Sequence, residues 1–438
     1  MNKYKWSFER WKLFQHPKEE IYRIKQQIQY RIIDRYWVKH LPVEKHFEFC
    51  NPFKHKYSLD GLRRVIPELL DNYHAFKILN VTMPDIISHS KWNYDIKNRI
   101  DGNSSFAHKI NDFDYSNGEI KYIYELSRLY HLPQLGAFAV VSKQDELLHI
   151  IFRQIQDWYK DNQFLKTIAW KSGNVVGIRV INLILFRILI DLGNYQRGDL
   201  LSFTSLFDSL VELHFKFLIS HLSLYSSKGN HYLGEIAGII AICSVYKFKN
   251  SNKHLKKFFL ELCSELLRLI HEDGFNREQS TRYQASYINL FITACQFARE
   301  RGYVLPEVAQ DRVRTMYAFL AELRINDKQF FMLGDDDAAQ LIYPYADTDY
   351  NIYESMLNDL EILYDIKTVR EYHFDLRNYL LFGDDGYGLY LKSKRLAKKT
   401  EKNDIKIGIY ENSGYFLIKN RNINFLFDVG PIGLQPGM

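Results

Sequence analysis

Gly229-Asn230-His231-Tyr232-Leu233-Gly234-Glu235 opens an apolar run, Ile236-Ala237-Gly238-Ile239-Ile240-Ala241-Ile242-Cys243-Ser244-Val245-Tyr246. The run is too short, and too rich in small residues, to span a bilayer. It reads as a helix buried on every side, so the fold must supply neighbours that bury it. Asn230 stands at the N-cap position, just ahead of the apolar residues. That places Asn230, His231 and Glu235 on the first turns of an interior helix. Unbonded polar groups are costly there. Two readings follow: a cap plus a hydrogen-bonded core histidine, or a site.

A second stretch, His271-Glu272-Asp273-Gly274-Phe275-Asn276-Arg277-Glu278-Gln279-Ser280-Thr281-Arg282-Tyr283-Gln284, precedes a helix read as Tyr287 to Arg299. It turns at Gly274 and then crowds Asn, Arg, Glu, Gln, Arg and Tyr together. Loops this dense in hydrogen-bonding side chains, held between helices, commonly carry sites.

The two stretches together resemble the heparinase II/III and alginate lyase superfamily of polysaccharide lyases. Its members carry an Asn-His pair at the head of one helix. About fifty residues later they carry an acidic, Gln/x-Ser-x-x-Tyr segment after an Asp-Gly turn. The resemblance implies a mainly α fold: an incomplete (α/α) toroid of helical hairpins followed by the start of an antiparallel β-sheet domain. It implies β-elimination at a uronic acid, with Asn230, His231 and Tyr283 as catalytic residues. Arg128, Arg179, Glu235, Glu278, Gln279 and Arg282 are the implied substrate-binding residues. No metal and no cofactor are expected. The partner is an acidic polysaccharide, with no nucleic acid.

The chemistry fits those residue types. Removing the proton alpha to a carboxylate places dianion-like charge on that group, which donors or cations must neutralise. Asn230 can donate, and His231 can donate when a partner such as Glu235 orients it. Tyr283 is the expected proton donor to the leaving oxygen, and a tyrosine acting as base needs positive charge nearby, for which Arg277 and Arg282 are candidates. A hydrolase would instead need two opposed carboxylates, and Glu235 with Glu278 is the pair the sequence offers. A third reading is a catalytically inactive glycan-binding protein.

Around these stretches the sequence is helical from Glu119. One helix, Ile120 to Leu132, carries Glu125 and Arg128 on one face. The next, about Gln144 to Lys160, has apolar residues at helical spacing. Trp170-Lys171-Ser172-Gly173-Asn174 leads into Val175 to Leu192, where Arg179 needs a buried partner or a carboxylate ligand. Helices follow at Leu206 to Tyr225, Leu255 to Ile270, Pro306 to Leu323 and Tyr353 to Tyr364. Short connections between so many helices point to antiparallel hairpins in a ring or bundle. Gly334-Asp335-Asp336-Asp337 reads as a helix cap facing water. Residues 392–402, rich in Lys, read as a solvated loop. Ile405 to Tyr410, Gly414 to Lys419 and Ile423 to Val429 read as strands.

The expected domains are a helical extension and lead-in over 1–118, a toroid over 119–370 and an incomplete β domain over 371–438. The relatives' next motif, His-x-His-x-Asp, does not occur before Met438, so a fragment or a truncated gene is expected. An apolar rim around Phe416 and Phe425 should then be left exposed.

The 438 residues carry 58 basic and 52 acidic side chains, a net charge of +6 that suits an acidic partner. Aromatics make up 15% of the chain, enough to furnish both a core and sugar-stacking surfaces. Cys50, Cys243, Cys263 and Cys295 form no CxxC pair and read as reduced thiols. The amino terminus has no apolar signal segment and the chain has no membrane span, which gives a cytoplasmic expectation. The family resemblance gives a periplasmic or cell-envelope one.

Overall fold

The computed structural model describes residues 17–43, 47–66, 76–79, 81–83, 85–193, 198–225, 228–326, 329–336, 341, 351–364, 372–396, 405–420 and 423–430. The helices in order are α1 (Pro17–Ile28), α2 (Asp34–Lys39), α3 (Leu59–Val65), α4 (Ile120–Ser127), α5 (His131–Ser142), α6 (Asp145–Asp161) and α7 (Gly173–Gly193). They continue with α8 (Gly198–Ser220), α9 (Asn230–Val245), α10 (Ser251–Leu269), α11 (Thr281–Arg299), α12 (Glu307–Leu323), α13 (Ile352–Tyr364) and α14 (Leu376–Leu396). A π-helical turn, Gln29–Ile33, joins α1 to α2.

From α5 to α13 the helices alternate between two layers. α5, α7, α9, α11 and α13 are buried over most of their lengths. α6, α10 and α12 bury only one stripe, as helices at a surface do. The inner helices run parallel. Asn174 meets Asn230 at the start of α7 and α9, and Gly177 meets Gly238 farther along both. Gly229 faces Tyr287 at the start of α9 and α11, and Arg301 reaches the Ser244 carbonyl at their far ends. The outer helices return antiparallel between them. Arg268 near the end of α10 bonds the Lys228 carbonyl, which precedes α9. The fold is therefore an incomplete (α/α) toroid of helical hairpins, and the amino ends of α7, α9 and α11 all open on one side.

Small residues let α7 and α9 come this close. A Cβ on Gly177 would stand 2.1 Å from the Gly234 carbonyl oxygen. That atom is backbone and cannot swing aside. Gly177→Ala will therefore part the two helices, cost about 3 kcal/mol and lower the thermal midpoint. An unchanged midpoint would contradict this packing.

The carboxy-terminal strands β7 (Lys406–Tyr410), β8 (Tyr415–Lys419) and β9 (Asn424–Asp428) form an antiparallel sheet in that order. They follow short two-stranded pairings of β1 (Glu48–Phe49) with β6 (Tyr246–Lys247), β2 (Phe76–Ile78) with β3 (Val81–Met83), and β4 (Tyr94–Asp95) with β5 (Ile100–Asp101). Tyr410 and Tyr415 pack edge-on against Phe319 and Phe275 of the helical body. The register gathers Ile407, Ile409, Phe416, Ile418, Phe425 and Phe427 on the opposite face. Phe425 is 47% and Phe427 53% exposed, the apolar surface expected there.

Four local expectations need correction. Ile120 to Leu132 is two helices, because Leu129 adopts a positive φ of 56° between α4 and α5. Asn230 is the first residue of α9, and Gly229 holds the N-cap position with no side-chain cap bond. α11 begins at Thr281, so Tyr283 lies in its first turn, capped by Ser280 Oγ at 3.1 Å from the Tyr283 amide. Lys392 and Lys394 belong to α14, whose kink sits at Gly383, where φ is 65°. Asp337, Lys398, Lys399 and Lys402 lie outside the described residues.

Candidate active site

The Gly229-Asn230-His231 turn is held from three directions. Asn174 Nδ2 donates to the Asn230 carbonyl at 2.8 Å, from the first turn of α7. Arg268 holds the Lys228 carbonyl at 2.8 Å and is itself fixed by Glu265, which also takes Lys228 Nζ at 2.9 Å. On the α11 side, a Cβ on Gly229 would lie 2.6 Å from Glu278 Oε1. Only glycine allows Glu278 to approach so closely. Tyr287 donates its hydroxyl to that same carboxylate oxygen. Tyr283, one turn earlier on α11, sets its ring 6.4 Å from Tyr287 at 62°. Asn230, Glu278 and Tyr283 thus belong to one corner of the molecule.

The loop that carries Glu278 is built rather than loose. Gly274, at φ 99°, brings the chain against the Thr315 carbonyl, where any Cβ would clash. Phe275 stacks on Phe319 at 4.4 Å. Gln284 accepts from the Asn276 amide and donates to the carbonyls of Gly274 and Met316. Asn276 and Gln284 are therefore scaffold. Gln279 is different. Its φ is 57°, a strained value for a residue with a Cβ, and both atoms of its buried amide make no hydrogen bond. A buried amide with no protein partner in a strained turn is open to a bound water or ligand. The turn at Gly334 closes over it. Gly334 approaches the Gln279 carbonyl, Ser280 Oγ donates to the Asp335 carbonyl at 2.6 Å, and Arg282 lies 3.4 Å from Asp336. This segment was expected to cap a helix; instead it buttresses the loop.

His231 faces the other flank. Its Nδ1 lies 3.5 Å from Ser172 Oγ, and its ring lines a pocket of about 300 Å3 with Lys171, His108, His221, Tyr30 and Asp34. It is not enclosed by aliphatic side chains. Burial, and then the nearby Arg128 guanidinium, lower its pKa, so the ring is neutral at neutral pH. A neutral imidazole can accept a proton or donate one hydrogen bond. Arg128 stands behind it, 7% exposed, and bonds Glu125 and the Tyr130 hydroxyl.

Two expected substrate ligands are interior. Arg179 is fully buried between the faces of Trp158 and Trp170, 4.4 and 5.0 Å from their ring centres. It donates to His214 Nε2 at 2.9 Å and to the Ala169 carbonyl at 3.1 Å. The guanidinium is spent on packing, so Arg179 does not line a cleft. Glu235 is also fully buried, and it accepts from the Ser223 amide at 2.8 Å and hydroxyl at 2.7 Å rather than orienting His231. Burial pushes its pKa from 4.5 to about 8, against the Ser223 hydrogen bonds. The folded protein therefore holds a proton here that the unfolded chain has released, and stability falls as pH rises from about 4.5 to about 8. The slope is up to about 1.4 kcal/mol per pH unit. Glu235→Gln will remove that slope from a plot of thermal midpoint against pH; a parallel displacement of the whole curve would show that Glu235 ionises normally.

Among the described residues no cluster of three or more His, Cys, Asp or Glu side chains is placed to hold a metal, and no helix is long and apolar enough to cross a membrane. The four cysteines are free, with Cys243 and Cys263 buried.

The sequence model of the heparinase II/III N-terminus family matches residues 71–356, which carry both stretches of the site. The chain belongs to the heparinase II/III family. Its fold is similar to a solved heparinase III, the BT4657 gene product, at 18% identity and a TM-score of 0.43, covering 76% of this chain and 51% of that one. It is also similar to the heparan sulfate lyase HepC from Pedobacter heparinus, at 15% identity and a TM-score of 0.47, covering 90% of this chain and 52% of that one. The chain thus spans about half the length of these heparinase structures. No curated protein sequence matches it.

Sequence reasoning passed over Ser172, Lys171, Tyr287 and Arg268, which now shape the site. The Trp170-Lys171-Ser172-Gly173-Asn174 stretch was a visible signal. The others lack one, because only the packing of α10 and α11 on α9 brings them in.

Proposed function

We propose that this heparinase II/III family member is a polysaccharide lyase that cleaves an anionic, uronate-containing glycan by β-elimination. Heparin or heparan, alginate-like chains and bacterial surface polysaccharides all fit that class. What supports the reading is that Glu278 packs against Gly229, next to Asn230, and bonds Tyr287, whose ring neighbours that of Tyr283, while His231 lines the pocket on the other flank.

The amino ends of α7, α9 and α11 give that side of the body partial positive charge, which suits a carboxylate or sulfate. Asn230 donates to the uronate carboxylate as charge builds on it. His231, neutral, adds a hydrogen bond or takes a proton. Tyr283 delivers a proton to the departing glycosidic oxygen, and Gln279 holds the sugar. A retaining or inverting hydrolase is disfavoured because Glu235 has no exposed surface to offer a substrate.

The test is incubation with heparan sulfate, alginate and other uronate glycans while following absorbance near about 235 nm, where the unsaturated uronate left by elimination absorbs. Growth of that chromophore supports the reading. New reducing ends without it mean hydrolysis, and glycan binding with neither means an inactive binder.

A further inference from the structure

The pocket in front of His231 is walled on one side by residues that precede the family-matched segment. α1, the turn after it and the first residue of α2 lie across one side of the pocket and contribute Gln26, Tyr30 and Asp34 to its wall. Tyr30 is held between two rings of the body, 5.1 Å from His108 at 9° and 5.7 Å from His221 at 27°. Asp34 lies 3.0 Å from His221 Nε2 and takes a 2.8 Å hydrogen bond from Gln29. His221 is fixed in turn by Ser220 Oγ at 2.8 Å and by stacking on Phe217. A second fastening lies farther up α1, where Tyr22 donates to the Leu222 carbonyl and packs on Tyr225.

We propose that this amino-terminal helix is the end wall of the substrate cleft, so that the pocket admits only the terminal sugars of a polysaccharide and the chain is processed from its end. Tyr30 and Asp34 are the specificity-determining residues. The inference rests on the lyase reading for the location of the cleft.

Three observations carry it. The pocket, about 300 Å3, sits at the lower limit for small-ligand sites, so it holds only a short piece of a polysaccharide at a time. Its wall is tied down by a stack and a buried Asp–His contact, so it is a fixed surface and not a passing loop. Its polar lining of Ser172, His231 and Lys171, the last paired with Asp112 of the same wall, offers hydrogen bonds to a sugar, while the Tyr30 ring offers an apolar edge.

The experiment uses the full chain and two readouts. Heparan sulfate, or whichever uronate glycan gives a signal, is partly fragmented and compared with the intact polymer at equal mass. End binding predicts that calorimetric binding capacity rises in proportion to the number of chain ends, and that turnover releases small products while viscosity stays high. Tyr30→Ala and Asp34→Asn should weaken end binding roughly tenfold and let viscosity fall early, whereas Tyr30→Phe, which keeps the stack, should behave as wild type. Circular dichroism checks that each variant is folded, and Asp34→Asn carries the test if Tyr30→Ala is not.

Capacity that follows mass, or an early viscosity collapse with the wild-type chain, overturns the end wall while leaving the lyase reading intact. End-proportional binding without any chromophore near about 235 nm leaves the wall standing and removes the lyase reading. Absence of binding to every glycan in the panel overturns both.

Discussion

Tyr283→Phe will lower the rate of elimination roughly 10³-fold while leaving glycan affinity within a few fold, because it removes one transferable proton and little contact surface. The ring keeps its packing on Tyr287, 6.4 Å away between ring centres. Asn230→Ala will cost about 10²- to 10³-fold in turnover, the usual effect of deleting one donor to a developing oxyanion. The measurement is initial rate at saturating glycan, paired with calorimetric binding. A Tyr283→Phe variant that keeps more than a tenth of the wild-type rate would move the proton transfer to another group, with His231 the first to consider.

The second large effect concerns the last helical hairpin. Arg377 of α14 makes a bidentate pair with Asp359 of α13, at 2.8 and 3.1 Å, and both side chains are fully buried. Tyr317 and Asn378 complete the Asp359 oxygens at 2.7 and 2.9 Å, and Asn289 of α11 receives Arg377 Nε at 3.2 Å. Asp359→Ala will leave a guanidinium without its counter-charge in the core, at a cost of about 3–5 kcal/mol. The double variant Asp359→Leu with Arg377→Met will recover much of that loss, since an apolar pair needs no solvation. Thermal unfolding of the single and double variants settles the matter: equal losses in both would mean that the network acts through shape and not through charge.

Much of the fold is legible in the sequence. Asp145–Asp161 shows a clean amphipathic stripe, and the three closing strands announce themselves by β-branched and aromatic residues between turns. What was missed has physical causes. His131–Ser142 is buried all round, so it has no polar face to mark its period. The break before it depends on a single positive φ at Leu129, a residue type that rarely adopts one. α14 was hidden by its lysines and by the Gly383 kink, and it packs against α13, α3 and α11.

The candidate site could be proposed where its residues are local in sequence. Asn230 and His231 are adjacent, and Glu278, Gln279 and Tyr283 share one short segment, so their types and spacing point to them together. Arg179 misled because a buried arginine looks the same in sequence whether it meets a ligand or two indole rings. Tyr30 and Asp34 were beyond reach for another reason. They come to His108 and His221 across long separations that no periodicity records.

The shared orientation of α7, α9 and α11 bears on how the protein responds to its surroundings. Positive potential supplied by peptide dipoles has no proton to lose, and no side-chain replacement at the surface removes it. An acidic glycan held this way should bind with nearly constant affinity across the pH range in which lysines and carboxylates keep their charge, with the pocket's imidazoles, His231 and His108 among them, adding a step at lower pH. Its attraction acts within the first helical turn and amounts to about half a charge per helix, so added salt has less to screen than in proteins that rely on rows of exposed lysines. A shallow slope of log affinity against log salt concentration would be the signature of a polyanion site whose charge is written into the backbone.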